Sequence, residues 1–255
     1  GTTTVAIGLA AALSGRKKSV ALVDADLRGG AVGPYLDLDP RRGLSGLSVE
    51  PSNRPERVLD ELQDGLGFSI RAGVERPEAR ERLTPERVAG TVSALQGRFD
   101  VILVDGGETL SGVTSAPGVA LLRSAERVLL VTTADLIGLW NARASLRFVT
   151  ETLGVPAEAV SAIVNRRDGN EQDGSPEVER ALGIRVVAAI PEDVRAARRA
   201  RADQTPISTA GGKAARTIVE LASRLAGSGD VEAQSTAEEV SALRRWRRQP
   251  AEGRR

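Results

Sequence analysis

The chain has 255 residues, of which 41% are apolar and 27% charged, enough for one large domain or two small ones and too apolar for wholesale disorder. It contains neither cysteine nor histidine, which excludes disulfides, thiol nucleophiles, Ser-His-Asp triads and metal sites built on those ligands; a metal here needs oxygen ligands, as Mg²⁺ or Ca²⁺ does. Thirty-five basic against 34 acidic side chains leave a net charge of +1, so no overall field draws the chain to nucleic acid, and no apolar run approaches the ~20 residues that span a bilayer.

A helical stretch over residues 2–14 comes first, followed by a strand-like run at Val20–Asp24. Phe68–Ala72 reads as a strand, and a helix over 85–97 is announced by Thr84 as N-cap with Pro85 in its first turn. Strands at Val101–Asp105 and Val128–Thr132 precede a helix over 139–153, in which Trp140 is expected to pack in the core. Ala162–Asn165, a helix over 176–182, a strand at Val186–Ile190 and a helix over 209–226 complete the pattern. Several strands are continuously apolar and end in a polar residue, as strands buried on both faces do. Strands alternating with helices predict an α/β fold with a doubly wound, mainly parallel sheet, whose ligands sit beyond the carboxyl ends of the strands. Gly227-Ser228-Gly229 is expected to end the last core helix, dividing the chain into an α/β domain at 1–227 and a polar, basic tail at 228–255. Within the tail, residues 237–248 space Ala237, Val240, Leu243 and Trp246 as a narrow apolar stripe beside four arginines, either a disordered tail or a short amphipathic helix that contacts a membrane surface or a partner.

Three places carry candidate chemistry. Gly1-Thr2-Thr3-Thr4 leads straight into a helix, supplying the free N–H groups, positive dipole end and hydroxyls that a phosphate and its Mg²⁺ need; a plain threonine-rich cap is the alternative. Ser19–Asp26 is a buried-strand pattern ending in Asp24 and Asp26, with Gly29-Gly30 soon after. Paired carboxylates there suit Mg²⁺ or the orientation of an attacking water, and capping of the next helix is the alternative. Phe99–Gly107 runs through four apolar residues to Asp105 like a Walker B strand, with Gly106-Gly107 as a switch segment; a structural turn aspartate is the alternative.

In order and spacing these elements resemble the deviant-Walker ParA/MinD family of P-loop ATPases, most of all its CpaE/TadZ-like branch, linked to Flp-type pilus assembly and septum-site placement. Val128–Asp135, Ala162–Arg166 and Val187–Asp193 add to the likeness, which covers about residues 1–225. The resemblance implies a P-loop NTPase fold in which Gly1 is the third glycine of the loop, so that the first strand and half of the loop are expected to precede this sequence. It implies that Gly1, Thr2, Thr3 and Thr4 contact phosphate, that Thr3, Asp24 and Asp105 serve Mg²⁺, and that Asp26 orients the hydrolytic water. Asn165 would bind adenine, and Pro191, Glu192 and Asp193 would form a loop over the base. Thr2 stands where ordinary P-loops carry a lysine that reaches the β- and γ-phosphates, which points to slow hydrolysis.

The expected function is therefore that of an ATP-binding, slowly hydrolysing localisation factor. It would be a nucleotide-dependent homodimer acting in the cytoplasm or at the inner face of the plasma membrane, with pilus, secretion or division machinery as partners. A pseudo-ATPase scaffold is the first alternative, favoured by Thr2 and opposed by the three retained aspartates. A partition ATPase that binds DNA through Arg195, Arg198, Arg199 and Arg201 is the second, disfavoured by Asp193 and Asp203 on either side, which suit a solvated helix face better.

Overall fold

A computed structural model of the chain describes residues 1–26, 29–44, 55–74, 83–107, 116–168 and 175–231. In chain order the elements are α1 (Thr2–Ser14), β1 (Val20–Asp24), α2 (Val32–Tyr35), α3 (Pro55–Asp60), β2 (Gln63–Gly65), β3 (Phe68–Arg71), α4 (Pro85–Leu95) and β4 (Val101–Asp105). They continue with α5 (Ala116–Ser124), β5 (Val128–Thr132), α6 (Leu136–Arg147), β6 (Val160–Arg167), α7 (Ser175–Leu182), β7 (Val186–Pro191), α8 (Val194–Ala202) and α9 (Lys213–Val231).

The strands pair in the orders β2-β3-β1-β4 and β5-β6-β7, all parallel except the β2–β3 hairpin. Alternation along each strand sends side chains to opposite layers. From β1, Val20 and Leu22 join α1 and α9, whereas Ala21 and Val23 meet Val58 of α3 and Leu95 of α4. From β6, Ile163 joins the α1 and α9 layer, and Ala162 and Val164 meet Leu146 of α6 and Val178 of α7. One core thus runs under both sets of strands on the α1 face, as the doubly wound expectation requires. Each fully buried Val, Leu or Ile contributes about 1.5–3 kcal/mol, and all five residues of β1 are buried.

Helix α1 lies deep in this core because little of it is polar: Val5, Ile7, Leu9, Ala10 and Leu13 are all buried. Gly8 lets α9 and the short turn at Ile207–Thr209 before it approach closely, since a Cβ there would stand 3.2 Å from Ile207 and 3.3 Å from Ile218. The start of α1 lies between two sheet edges. A Cβ on Gly1 would meet Asn165 of β6 and Val131 of β5, while the Thr3 hydroxyl hydrogen-bonds Asp105 of β4.

Three expectations need correction. Trp140 is 75% exposed; the buried positions of α6 and the turn after it are Ala142, Leu146 and Val149, so the indole sits off the apolar stripe. Helix α6 starts three residues before the expected 139 because the Asp135 carboxylate accepts the Gly138 N–H at 2.9 Å and caps it. The last helix does not span 209–226. Gly211 and Gly212 take φ values of +73° and +94°, which no α-helix accommodates, so α9 opens at Lys213. It then continues through Gly227 and Gly229 to Val231, carried by turns anchored on the buried Ile218, Leu221 and Ala222.

Candidate functional site

β1 and β4 run parallel in a register that sets Asp24 directly beside Asp105, and the Ala25 N–H extends the ladder to the Asp105 carbonyl at 2.8 Å. Both carboxylates are buried, at 1% and 0% exposure. Burial, then the neighbouring Asp105 charge, pushes the Asp24 carboxyl up to about 7. Burial likewise raises Asp105, against the opposing hydrogen bonds from Thr3 and the Gly107 N–H, with the charge of Asp26 adding to the rise.

The two aspartates are engaged differently. Asp24 accepts the Asp26 N–H on Oδ1 at 3.1 Å and the Val32 N–H, at the start of α2, on Oδ2 at 3.2 Å. The capping role weighed for it from sequence is therefore real, and each oxygen keeps a second lone pair. Gly30 and Gly73 close around it: a Cβ on either would stand 2.7 Å or 3.0 Å from its carboxylate. Asp105 accepts the Gly107 N–H on Oδ1 at 3.0 Å, but its buried Oδ2 has no hydrogen-bond partner. A buried carboxylate oxygen without a partner needs a reason, and a cation is one. Asp26 is half-buried and takes the Gly29 N–H on Oδ1 at 3.2 Å.

Thr3 and Asp105 meet at the N-terminus of α1, where Thr2, Thr3 and Thr4 carry backbone N–H groups that the helix geometry leaves without intrahelical acceptors. That end is the positive pole of the helix dipole and suits a phosphate. Among the described residues no three Asp or Glu side chains are grouped as an all-protein metal cage. A hydroxyl, an orphaned carboxylate oxygen and an adjacent anion site instead fit Mg²⁺, which takes one or two protein oxygens and completes its shell with phosphate and water.

Asn165 lies near the carboxyl end of β6, next to Gly1, and its side-chain oxygen accepts the Arg166 N–H at 3.0 Å. Arg166 takes φ +55°, a left-handed conformation at the mouth of the site. Pro191 and Glu192 are tied to β6 by the Arg167 pairing and by the Glu192 N–H on the Arg167 carbonyl at 2.9 Å. Asp193 is already occupied: it accepts the Ala196 N–H at 3.1 Å and the Lys213 N–H at 2.9 Å, capping α8 and α9 together. Arg195 and Arg198 lie exposed on α8 opposite its buried Ala196 and Ala200, and Arg199 donates to the Ala210 carbonyl at 2.9 Å, in keeping with a solvated helix face.

The sequence reading missed two features. Gly73 packs on Asp24, and its only signal is a glycine just past a strand. Leu136, Ile137 and Trp140 form an apolar patch 82%, 72% and 75% exposed on the first turns of α6, just beyond the carboxyl end of β5. The amphipathic stripe at 237–248 falls outside the described residues. Among those described, no helix is long and apolar enough to cross a membrane.

Parallel strands with carboxylates at their carboxyl ends, around a helix N-terminus rich in hydroxyls, make this a doubly wound α/β domain of the phosphate-loop type. The chain belongs to the CobQ/CobB/MinD/ParA nucleotide binding domain family, which matches residues 1–207. It is 28% identical over 240 residues to an uncharacterized ATP-binding protein of Methanocaldococcus jannaschii, covering 89% of this chain and 83% of the relative. The crystal structure of the cell division ATPase MinD of Pyrococcus furiosus superposes with a TM-score of 0.72 at 25% identity, over 88% of this chain and 92% of that one. The septum site-determining protein MinD of Pyrococcus horikoshii, solved with Mg-ADP, gives a TM-score of 0.72 at 21% identity, over 93% and 94% of the two chains.

Proposed function

We propose that this protein binds ATP with Mg²⁺ at the α1 N-terminus and hydrolyses it slowly, as a nucleotide-dependent homodimer that places other machinery, in pilus or secretion assembly or at the division septum. The observation that carries the reading is the orphaned, fully buried Oδ2 of Asp105 beside the Thr3 hydroxyl and the free amides of α1. Mg²⁺ bound there would neutralise the phosphates and polarise the terminal phosphoryl group. The rest falls to the chain itself. The Thr2–Thr4 amides hold phosphate oxygens, Thr3, Asp24 and Asp105 serve the cation, and Asp26 orients a water in line with the γ-phosphate. Asn165 and the Pro191–Asp193 segment receive the base at the ends of β6 and β7, Asp193 through its backbone because its carboxylate is spent on caps. Thr2 offers no charge to the transition state, so turnover is slow.

The Leu136, Ile137 and Trp140 patch supports the homodimer. It offers on the order of 400 Å² of apolar surface, about half of one side of a standard interface, so the loops around the nucleotide must supply the rest and pairing becomes nucleotide-dependent.

Isothermal titration of the full-length protein with ATP, with and without Mg²⁺, tests the reading, alongside phosphate release. Micromolar, Mg²⁺-dependent binding is expected. A folded protein that binds nothing at millimolar ATP refutes it and leaves the scaffold reading, which Thr2 favours.

A further inference from the structure

We propose that Gly107 is a positioning residue for the hydrolytic water: its bare Cα is the surface on which the Asp26 carboxylate rests, and its amide ties that surface to Asp105. The inference rests on the ATPase reading above. Gly107 takes φ +57°, and its N–H donates to Asp105 Oδ1 at 3.0 Å. A Cβ built on it would lie 2.2 Å from Asp26 Cγ, 2.3 Å from Oδ2 and 2.6 Å from Cβ. Real Cβ atoms do not approach other atoms so closely, so any side chain at 107 displaces Asp26.

A positive φ alone does not explain this glycine. Gly97, Gly183 and Gly211 also have positive φ, yet a Cβ on any of them would meet nothing within 4 Å. They are glycines for backbone reasons, whereas Gly107 is also one for room. Asp26 is held from two sides, its Oδ1 by the Gly29 N–H and its Oδ2 face by Gly107. The residue that holds Asp105 therefore also sets the direction of Asp26, and a shift at the end of β4 is passed to the group that orients water. Misplacement of such a group by about 1 Å costs on the order of 100-fold in rate.

The test uses Gly107→Ala and Gly107→Asn in the full-length protein, each with wild-type Asp26 and with Asp26→Gly. With Mg-ATP, both variants are expected to lower kcat by about 100-fold while the Kd for Mg-ATP stays within about threefold, because the loss falls on the transition state and not on binding. Asn tolerates left-handed backbone and Ala does not; equal losses therefore assign the effect to the added Cβ, and recovery in Gly107→Asn overturns the proposal. In the nucleotide-free protein, Gly107→Asn, whose backbone tolerates the left-handed φ, is expected to lower Tm by about 3 °C, and most of that loss disappears when Asp26→Gly removes the atoms in the way. A Tm loss that is the same in both backgrounds overturns the contact. A wild type that neither binds nor hydrolyses ATP overturns the ATPase reading and the role toward water with it. A wild type that turns over ATP while Gly107→Ala keeps its kcat overturns the Gly107 assignment alone.

Discussion

Substituting Asp24 with asparagine isolates the effect of one buried proton on the stability of the fold. The Asp24 carboxyl is 1% exposed and titrates at about 7 against an ordinary 3.8, chiefly because burial disfavours the anion. The gap between 3.8 and about 7 corresponds to about 4 kcal/mol of differential interaction between the two forms. The native state therefore binds this proton more tightly than the unfolded chain. Between the two values the unfolded chain holds fewer protons, and stability falls as pH rises. Integrated for a single site, about 2.5 kcal/mol of the total is lost between pH 5 and pH 8. Urea unfolding of wild type and Asp24→Asn at steps across that range reads the effect directly. Asp105 is raised by the same physics and acts in both proteins, so it largely drops out of the difference. The asparagine keeps one acceptor for the two N–H groups of Asp26 and Val32, which lowers the variant's stability by a constant. Wild type is expected to lose about 2.5 kcal/mol relative to the variant on going from pH 5 to pH 8. A difference that stays level across the range, or moves the other way, refutes the account of Asp24 as a carboxyl held protonated by burial.

Asp105→Asn is expected to raise the Kd for ATP about tenfold or more when Mg²⁺ is present and to leave Mg²⁺-free binding nearly unchanged, as titration calorimetry would report. Because Asp24 and Asp105 must ionise to serve a cation, Mg-ATP affinity is expected to rise with pH through about 7; a flat profile from pH 6 to 8 contradicts the raised carboxyls. Asp193→Ala removes the caps of both α8 and α9 and is expected to cost about 1–2 kcal/mol in urea unfolding. Trp140→Ser is expected to change monomer stability by less than about 0.5 kcal/mol and to abolish the ATP-dependent dimer in sedimentation velocity.

The parallel strands were legible because continuous apolar runs leave a plain signature, although only β1 is buried throughout; β4 and β5 are mostly half-buried, so burial on both faces was expected too widely. Val20–Asp24, Val101–Asp105 and Val128–Thr132 are apolar runs with polar ends, and the structure forms strands over those very residues. Thr84 and Pro85 marked the start of α4 for the same local reason, an N-cap accepting the Arg87 N–H. β2 was invisible. Gln63-Asp64-Gly65 has no strand pattern and is held by tertiary bonds, with the Gln63 side chain accepting the Asp39 N–H and donating to the Asp39 and Arg42 carbonyls. The short α3 and α5 carry too few turns for periodicity to emerge. At the site, residue types and spacing pointed to Thr3, Asp24, Asp26 and Asp105. What sequence could not supply was the division of labour among the carboxylates, which depends on register and on which oxygens the backbone already occupies. Trp140 was misread because a large aromatic in a helix suggests burial, whereas its angular position decides the matter.

That exposed indole has a practical side. Trp140 is the only tryptophan among the described residues, and it stands in water at the rim of the nucleotide end of the sheet. Indole emission moves to shorter wavelength when water leaves its surroundings. The protein thus carries an intrinsic optical label where a docking surface would close, and a stopped-flow trace with Trp246 replaced by phenylalanine would time that closure without any attached dye.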